Sequence, residues 1–244
     1  MKKIEHWLVP DWPAPANIHA ATTLRSGGVS NGVFNSLNPA AHVGDNADLV
    51  RQNRQIIKDM LELPSEPVWL EQIHSNRVVN AVKTEVLQQA DASYSSDPNV
   101  VCAVMTADCL PLLACSTDGS QVAAIHAGWR GLLAGIISNT ISAMQTRNIL
   151  IWLGPAIGAD CFEVGAEVRD AFIEKSSAFT SAFEQKTNGK WLADIYQLAR
   201  IDLKALGINS IYGGNYCTVT EEDRFYSYRR DKETGRMATL IWRE

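Results

Sequence analysis

Short apolar runs bounded by glycine, proline, asparagine or aspartate alternate along the chain with stretches whose apolar residues recur at helical spacing, the pattern of a mixed α and β protein. Asn46 is placed to cap a helix reaching about Leu63. Leu49, Val50, Ile56, Ile57, Met60 and Leu61 gather on one side of it, Asp48 suits its first turn, and Pro64 follows its end. Val68 to Val82 reads as strand structure. Val100 to Met105 is a β-branched apolar run of the kind that fills a buried strand. Leu110 to Cys115 and Val122 to His126 read as two further strands joined by a turn at Thr117 to Ser120, which puts Cys109 and His126 at strand ends. Leu132 to Met144 then shows helical spacing, with Arg130 at its start. Leu192 to Leu206 reads as an amphipathic helix stopped by Gly207, followed by a short strand and the Gly213-Gly214 turn. No repeat, linker or low-complexity stretch interrupts this order.

At 244 residues, 46% hydrophobic and 20% charged, the chain is long enough for a substantial core and has the balance of a globular domain. A net charge of -5 argues against a broad nucleic-acid surface. The N-terminal Met1 to Pro10 has two lysines but breaks its apolar run with Glu5 and His6, unlike a secretion signal, and no window reaches the roughly 20 apolar residues of a membrane helix. A cytoplasmic protein with no membrane contact and no obligate protein partner is the expectation. The five cysteines have no paired spacing and no C-x-x-C, so neither a disulfide framework nor a zinc ribbon is predicted.

Three segments carry the candidate chemistry: E-Q-I-H ending at His74, A-D-C-L-P-L-L around Cys109, and H-A-G-W-R-G starting at His126. One thiol and two imidazoles make either a soft-metal site with an open position or a cysteine-histidine nucleophilic pair, provided that folding joins residues 35 and 17 positions apart. Cys109 is the best cysteine for chemistry, whereas Cys102, Cys115, Cys161 and Cys217 read as structural. The turn Gly128 to Gly131 with Arg130 is either an anion site or a plain strand-to-helix turn with a solvated arginine. The loop from Arg25 to Gly32 is either an anion- or ribose-binding segment or a simple turn, and it is not a Walker A loop. F-Y-S-Y-R-R-D, Phe225 to Asp231, is a stacking and charge-binding surface or a strand with one buried aromatic face.

Taken with T-L-R-S-G-G-V-S, S-L-N-P-A-A-H-V-G-D-N, A-D-A-S-Y-S, W-L-G-P-A-I-G, F-E-V-G and F-Y-S-Y-R-R-D-K-E-T-G-R-M-A, these segments closely resemble the bacterial laccase-domain family over nearly the whole chain. That family is also called the multicopper polyphenol oxidase family and, in newer usage, the purine nucleoside phosphorylase family. The resemblance implies one α+β domain, residues 1–244, of layered helices and mixed sheets, similar to a deamidating toxin catalytic domain. It implies a metal-binding and catalytic trio at His74, Cys109 and His126, with zinc as cofactor and copper as the alternative.

For activity, the resemblance implies phosphate-dependent cleavage of adenosine, inosine and methylthioadenosine to free base and ribose 1-phosphate, with adenosine deamination as a second reaction. Arg25 and Arg130 are then expected to hold phosphate, and Cys109 or a histidine to help the base depart. In deamination, a zinc-activated water would attack C6 of adenine while Glu71 or Asp108 moves protons. Two alternatives stand beside it. A cysteine-histidine amidase would remove wrongly incorporated serine from muramyl peptidoglycan precursors. A copper-dependent polyphenol oxidase is disfavoured by five histidines with no H-x-H pair, too few for several copper ions.

Overall fold

A central antiparallel hairpin, Leu110–Ser116 paired with Val122–Ala127, is buried along its whole length. In the computed structural model, residues 6–82, 86–187 and 189–244 are described; Met1 to Glu5 of the segment read against a secretion signal lie outside them. Side chains of a strand alternate between faces. Leu110, Leu112, Ala114, Ala123, Ile125 and Ala127 therefore pack on one side against helices Ile136–Met144 and Ile195–Ala205. Leu113, Cys115, Val122 and Ala124 pack on the other side against a second sheet, through Cys102, Val104 and Ile241. Each large apolar side chain buried this way contributes roughly 1.5–3 kcal/mol.

The hairpin is the middle of a six-stranded mixed sheet that runs Ile211–Gly213, Ile149–Leu153, Leu110–Ser116, Val122–Ala127, Ala92–Ser95 and Val78–Asn80. The second sheet has four antiparallel strands in the order Trp7–Leu8, Ile18–Thr23, Met237–Arg243 and Cys102–Thr106. Its outer face, through Ala103, Met105, Ala238, Leu240 and Trp242, meets Ile57 of helix Ala47–Met60. The result is a four-layer α+β stack of helices, sheet, sheet and helix. As the pattern predicts, Asn46 caps helix Ala47–Met60, its side chain accepting from the N–H groups of Asp48 and Leu49.

Four expectations are corrected. Val68 to Val82 is not one strand: Leu70–Glu71 and Val78–Asn80 are short, and between them His74 takes φ 59. This segment starts beside strand Cys102–Thr106, Val68 N–H donating to Val101 O at 2.9 Å, and then leaves it. The Gln72 amide takes over as partner, accepting from Met105 N–H at 2.7 Å and donating to Met105 O at 2.8 Å. The helix predicted around Leu132 to Met144 is two helices, Trp129–Ala134 and Ile136–Met144, broken at Gly135, whose φ of 87 stops the first and starts the second. Leu192 belongs to strand Trp191–Ala193, and the following helix begins only after Asp194, whose side chain caps Gln197 N–H. Phe225 to Asp231 is not a strand: Phe225 and Tyr226 are fully buried, and Tyr228–Asp231 is a helical turn capped by Ser227, with Tyr228 exposed.

Candidate metal and catalytic site

The chain crosses from the four-stranded to the six-stranded sheet between Thr106 and Leu110, and Cys109 lies on that crossing. His126 shares the strand parity of Val122 and Ala124, so its ring lies on the side between the two sheets, opposite Pro111. His74 arrives from the left-handed bend. The Cys109 thiol, His74 and His126 thereby offer three ligand atoms within 4.8 Å of one another. Cys109 Sγ and His74 Nε2 are 3.9 Å apart, and the two imidazoles meet edge to face with ring centres 4.8 Å apart.

Asp91, at the start of strand Ala92–Ser95, assembles this trio. Its fully buried carboxylate accepts from His74 N–H at 2.9 Å, from Ser75 N–H at 2.6 Å, from the Ser75 hydroxyl at 2.8 Å, and from His126 Nδ1 at 2.8 Å. The Asp91 carbonyl accepts from His126 N–H at 2.7 Å. Burial opposes charge on the carboxylate, yet the hydrogen bonds from His126 and Ser75 hold its pKa at about 2. A proton fixed on His126 Nδ1 leaves Nε2 as the atom free to ligate or exchange protons. Asp91 stood in the A-D-A-S-Y-S motif without an assigned role, because one aspartate before a strand carries no local sign of what it will accept.

Gly128 permits the close approach. A Cβ there would lie 3.0 Å from Cys109 Sγ and 3.2 Å from His74 Cδ2. Burial raises the thiol pKa, but the His126 charge and hydrogen bonds from His126 and His74 bring Cys109 down to about 6. Burial works the other way on His126, and the Cys109 and Asp91 partners lift it to about 9. The metal-free pair is a thiolate beside an imidazolium.

The residues suit a metal. Ligand atoms of a tetrahedral zinc site stand roughly 3.3–3.9 Å apart for Zn–N and Zn–S bonds of about 2.0–2.3 Å, close to the spacing here, and a three-ligand set leaves one position open. The trio lies in a cavity of about 500 Å³ whose wall includes Trp129, Phe162, Tyr228, Arg130, Arg229 and Arg236. Arg130 is exposed, its guanidinium 4.4 Å from the Trp129 ring centre. Arg229 donates from Nη1 to Glu163 O at 2.9 Å and lies 5.6 Å from the Phe162 ring. Arg236 donates from Nη1 to the carbonyls of Thr234 and Gly235. His42 also lines the cavity, its pKa pushed down by burial and by the Arg236 and Arg54 charges.

Other candidates are placed elsewhere or otherwise engaged. Arg25 is not among the residues lining this cavity; it donates to Glu222 O at 3.0 Å and Asn35 O at 3.3 Å and stacks 5.0 Å from the Tyr226 ring. Glu71 is exposed and does not line the cavity either. Asp108 lines it, but its carboxylate accepts from the Thr218 hydroxyl at 2.6 Å and from Arg229 N–H at 2.5 Å. Those bonds, with Ile157 N–H donating to Asp108 O, hold Asp108 at φ 89, so the carboxylate anchors the crossing.

A family model for the multi-copper polyphenol oxidoreductase laccase matches residues 19–244. The chain is 53% identical over 238 residues to the purine nucleoside phosphorylase YfiH of Shigella flexneri, covering 96% of this chain and 98% of that one. It is 51% identical over 239 residues to a purine nucleoside phosphorylase of Pseudomonas aeruginosa, covering 97% and 98%. Among solved structures, a Neisseria meningitidis protein superposes with a TM-score of 0.95 at 51% identity, over 98% of this chain and 100% of that one. YlmD from Geobacillus stearothermophilus superposes with a TM-score of 0.92 at 30% identity, over 100% and 98%.

Proposed function

The chain belongs to the multi-copper polyphenol oxidoreductase laccase family, and from that membership and the cavity's chemistry we propose that it is a purine nucleoside phosphorylase acting on adenosine, inosine and methylthioadenosine. The observation that carries this reading is one cavity holding a Cys-His-His trio, three guanidinium groups and three aromatic rings. Phosphate needs cations, a purine needs flat apolar faces, and a departing base needs a proton. Arg130, Arg229 and Arg236 supply the first, with Arg130 and the charge-bearing segment that holds Arg229 expected from sequence and Arg236 added by the fold. Trp129, Phe162 and Tyr228 supply the second.

In phosphorolysis, a phosphate oxygen bonds to the anomeric carbon as the C–N glycosidic bond breaks, and the base keeps the electron pair and takes up a proton. His126, the protonated member of the Cys109–His126 pair, is the group placed to give that proton, and the arginines hold the attacking anion in position. His74, Cys109 and His126 would hold zinc, which when bound supplies Lewis acidity for the second activity, deamination of adenosine. Asp91 keeps the His126 ring oriented in either case. A single three-donor cluster among the described residues is too small for a multicopper centre, so the oxidase reading is not adopted.

The test is incubation of the zinc-loaded protein with adenosine and inorganic phosphate. Adenine and ribose 1-phosphate are expected in equal amounts and only when phosphate is present, with inosine reporting deamination. Adenine release that ignores phosphate, or no release, overturns the phosphorylase reading. Chelation of the metal is expected to abolish inosine formation, and zinc to restore it.

A second reading rests on the chain Asp91, His126, Cys109, which has the geometry of a nucleophile, a base and a group that orients the base. It favours an amidase that releases serine from a muramyl-serine precursor through a thioester at Cys109. Serine release that needs no phosphate and disappears in Cys109→Ala would support it.

A further inference from the structure

Away from the trio, Cys161 and Cys217 are both partly exposed and are brought together across 56 residues of sequence by Gly158, whose carbonyl accepts from Cys161 N–H at 3.0 Å and whose own N–H donates to Cys217 Sγ at 3.3 Å. Cys161 ends the turn Ala159–Cys161, and Cys217 opens the turn that carries Thr218. Backbone bonds clamp the two segments together, Thr218 N–H donating to Ala156 O at 3.0 Å and Gly158 N–H donating to Cys217 Sγ at 3.3 Å. A Cβ on Gly158 would come within 3.1 Å of Cys217 Cβ and Sγ, so glycine is what lets the first turn rest on the second cysteine.

The two sulfurs differ in surroundings. Backbone N–H groups of Gly158, Val219 and Thr220 and the Thr220 side chain hydrogen bond to Cys217. A sulfur ringed by backbone donors is favoured as the thiolate, as anions are in such nests. Burial pushes the Cys217 pKa up, but these bonds bring it below the ordinary value. Burial raises the Cys161 pKa, and Cys217 and the carboxylates of Asp160 and Asp108 raise it further. Cys217 is thus the more acidic thiol of the two, and Cys161 the less acidic.

We propose that Cys217 and Cys161 form a peroxide-responsive thiol pair that closes a reversible disulfide beside the cavity. The Cys217 thiolate attacks one oxygen of hydrogen peroxide, the O–O bond breaks, and with one proton taken up the products are a Cys217 sulfenic acid and water. Cys161 sulfur then attacks that sulfenic sulfur, the S–O bond breaks, and the Cys161 proton leaves with hydroxide as a second water. Peroxide is reduced and the two thiols are oxidised. The bond would tie together the segments that present Phe162 to the cavity and Thr218 to Asp108.

Peptide mass mapping of the whole protein after graded hydrogen peroxide, with free thiols alkylated, tests this. A Cys161–Cys217 linked peptide, two hydrogens lighter than its parts and lost on reduction, is expected. In Cys161→Ser, dimedone should trap a sulfenic acid at Cys217; in Cys217→Ser, Cys161 should stay reduced. Iodoacetamide should label Cys217 of the unaltered protein at least about 10-fold faster than Cys161. No linked peptide at a peroxide dose that oxidises Cys109, oxidation of Cys161 in Cys217→Ser, or equal labelling rates would overturn the proposal; the labelling comparison needs no variant to fold.

Discussion

The trio and the Arg25 loop both read as candidate anion or metal sites in sequence, and the structure treats their polar groups in opposite ways. Around Arg25 the polar groups are turned inward on partners within the fold. The guanidinium is bonded to Glu222 O and Asn35 O, and Asn53, fully buried in helix Ala47–Met60, ties Val29 N–H, the Ser30 hydroxyl and Asn38 O. Around the trio, Asp91 satisfies the backbone and one side of His126, and leaves Cys109 Sγ, His74 Nε2 and His126 Nε2 converging in a cavity. A loop that spends its hydrogen-bonding capacity on itself is architecture. One that has its capacity satisfied from behind, with donors and acceptors left over in front, is a site.

Substitutions can break that contrast, and the largest effects are expected at the trio itself. Cys109→Ala and His126→Ala should each lower phosphorolysis by about 10³-fold or more, read as adenine release, while circular dichroism shows the fold retained. Loss of less than tenfold in both would remove the trio from the chemistry. Asp91→Asn keeps the shape but not the charge, and should weaken zinc binding by about 10–100-fold in a competition titration. Asp91→Ala should also cost about 3 kcal/mol of unfolding free energy in urea, because it strands His126 and two backbone N–H groups. Zinc affinity unchanged in Asp91→Asn would mean that the trio is held by something else.

Gly128→Ala sharpens the comparison at smaller scale. The added methyl must move Cys109 Sγ or His74 by a few tenths of an ångström, and a loss of about tenfold in activity is expected with little change in melting temperature. The smallest functional effect belongs to Arg25→Ala. Its kcat/KM for phosphate should match the unaltered protein, while the melting temperature falls by about 2–4 °C. A large rise in the KM for phosphate would make the Arg25 loop part of the site after all.

What could be read in advance followed the range of the forces involved. Asn46 and its helix were legible because capping and one-sided burial are written within a few residues. The hairpin from Leu110 to Ala127 was legible for the same reason, its apolar runs being bounded by a turn. The split at Gly135 is hidden because the apolar spacing continues through it, and Leu192 looks helical because the spacing of the helix that follows extends back over it while one of its strand partners, Glu163, is distant in sequence. The trio needed the family resemblance, since nothing local brings His74 to Cys109. Asp91, Arg229 and Arg236 acquire their places only when the sheets stack and helical turn Tyr228–Asp231 closes the cavity.

The His74 bend has a consequence for measurement. His74 and Ser75 lie outside the strands of the described residues, and their amides donate to the Asp91 carboxylate. Slow deuterium uptake at these two amides therefore depends on a side chain rather than on a sheet, and any event that draws Asp91 away should release both together. Their exchange rates make a built-in gauge of whether the site is assembled, readable by nuclear magnetic resonance with no substrate in the tube.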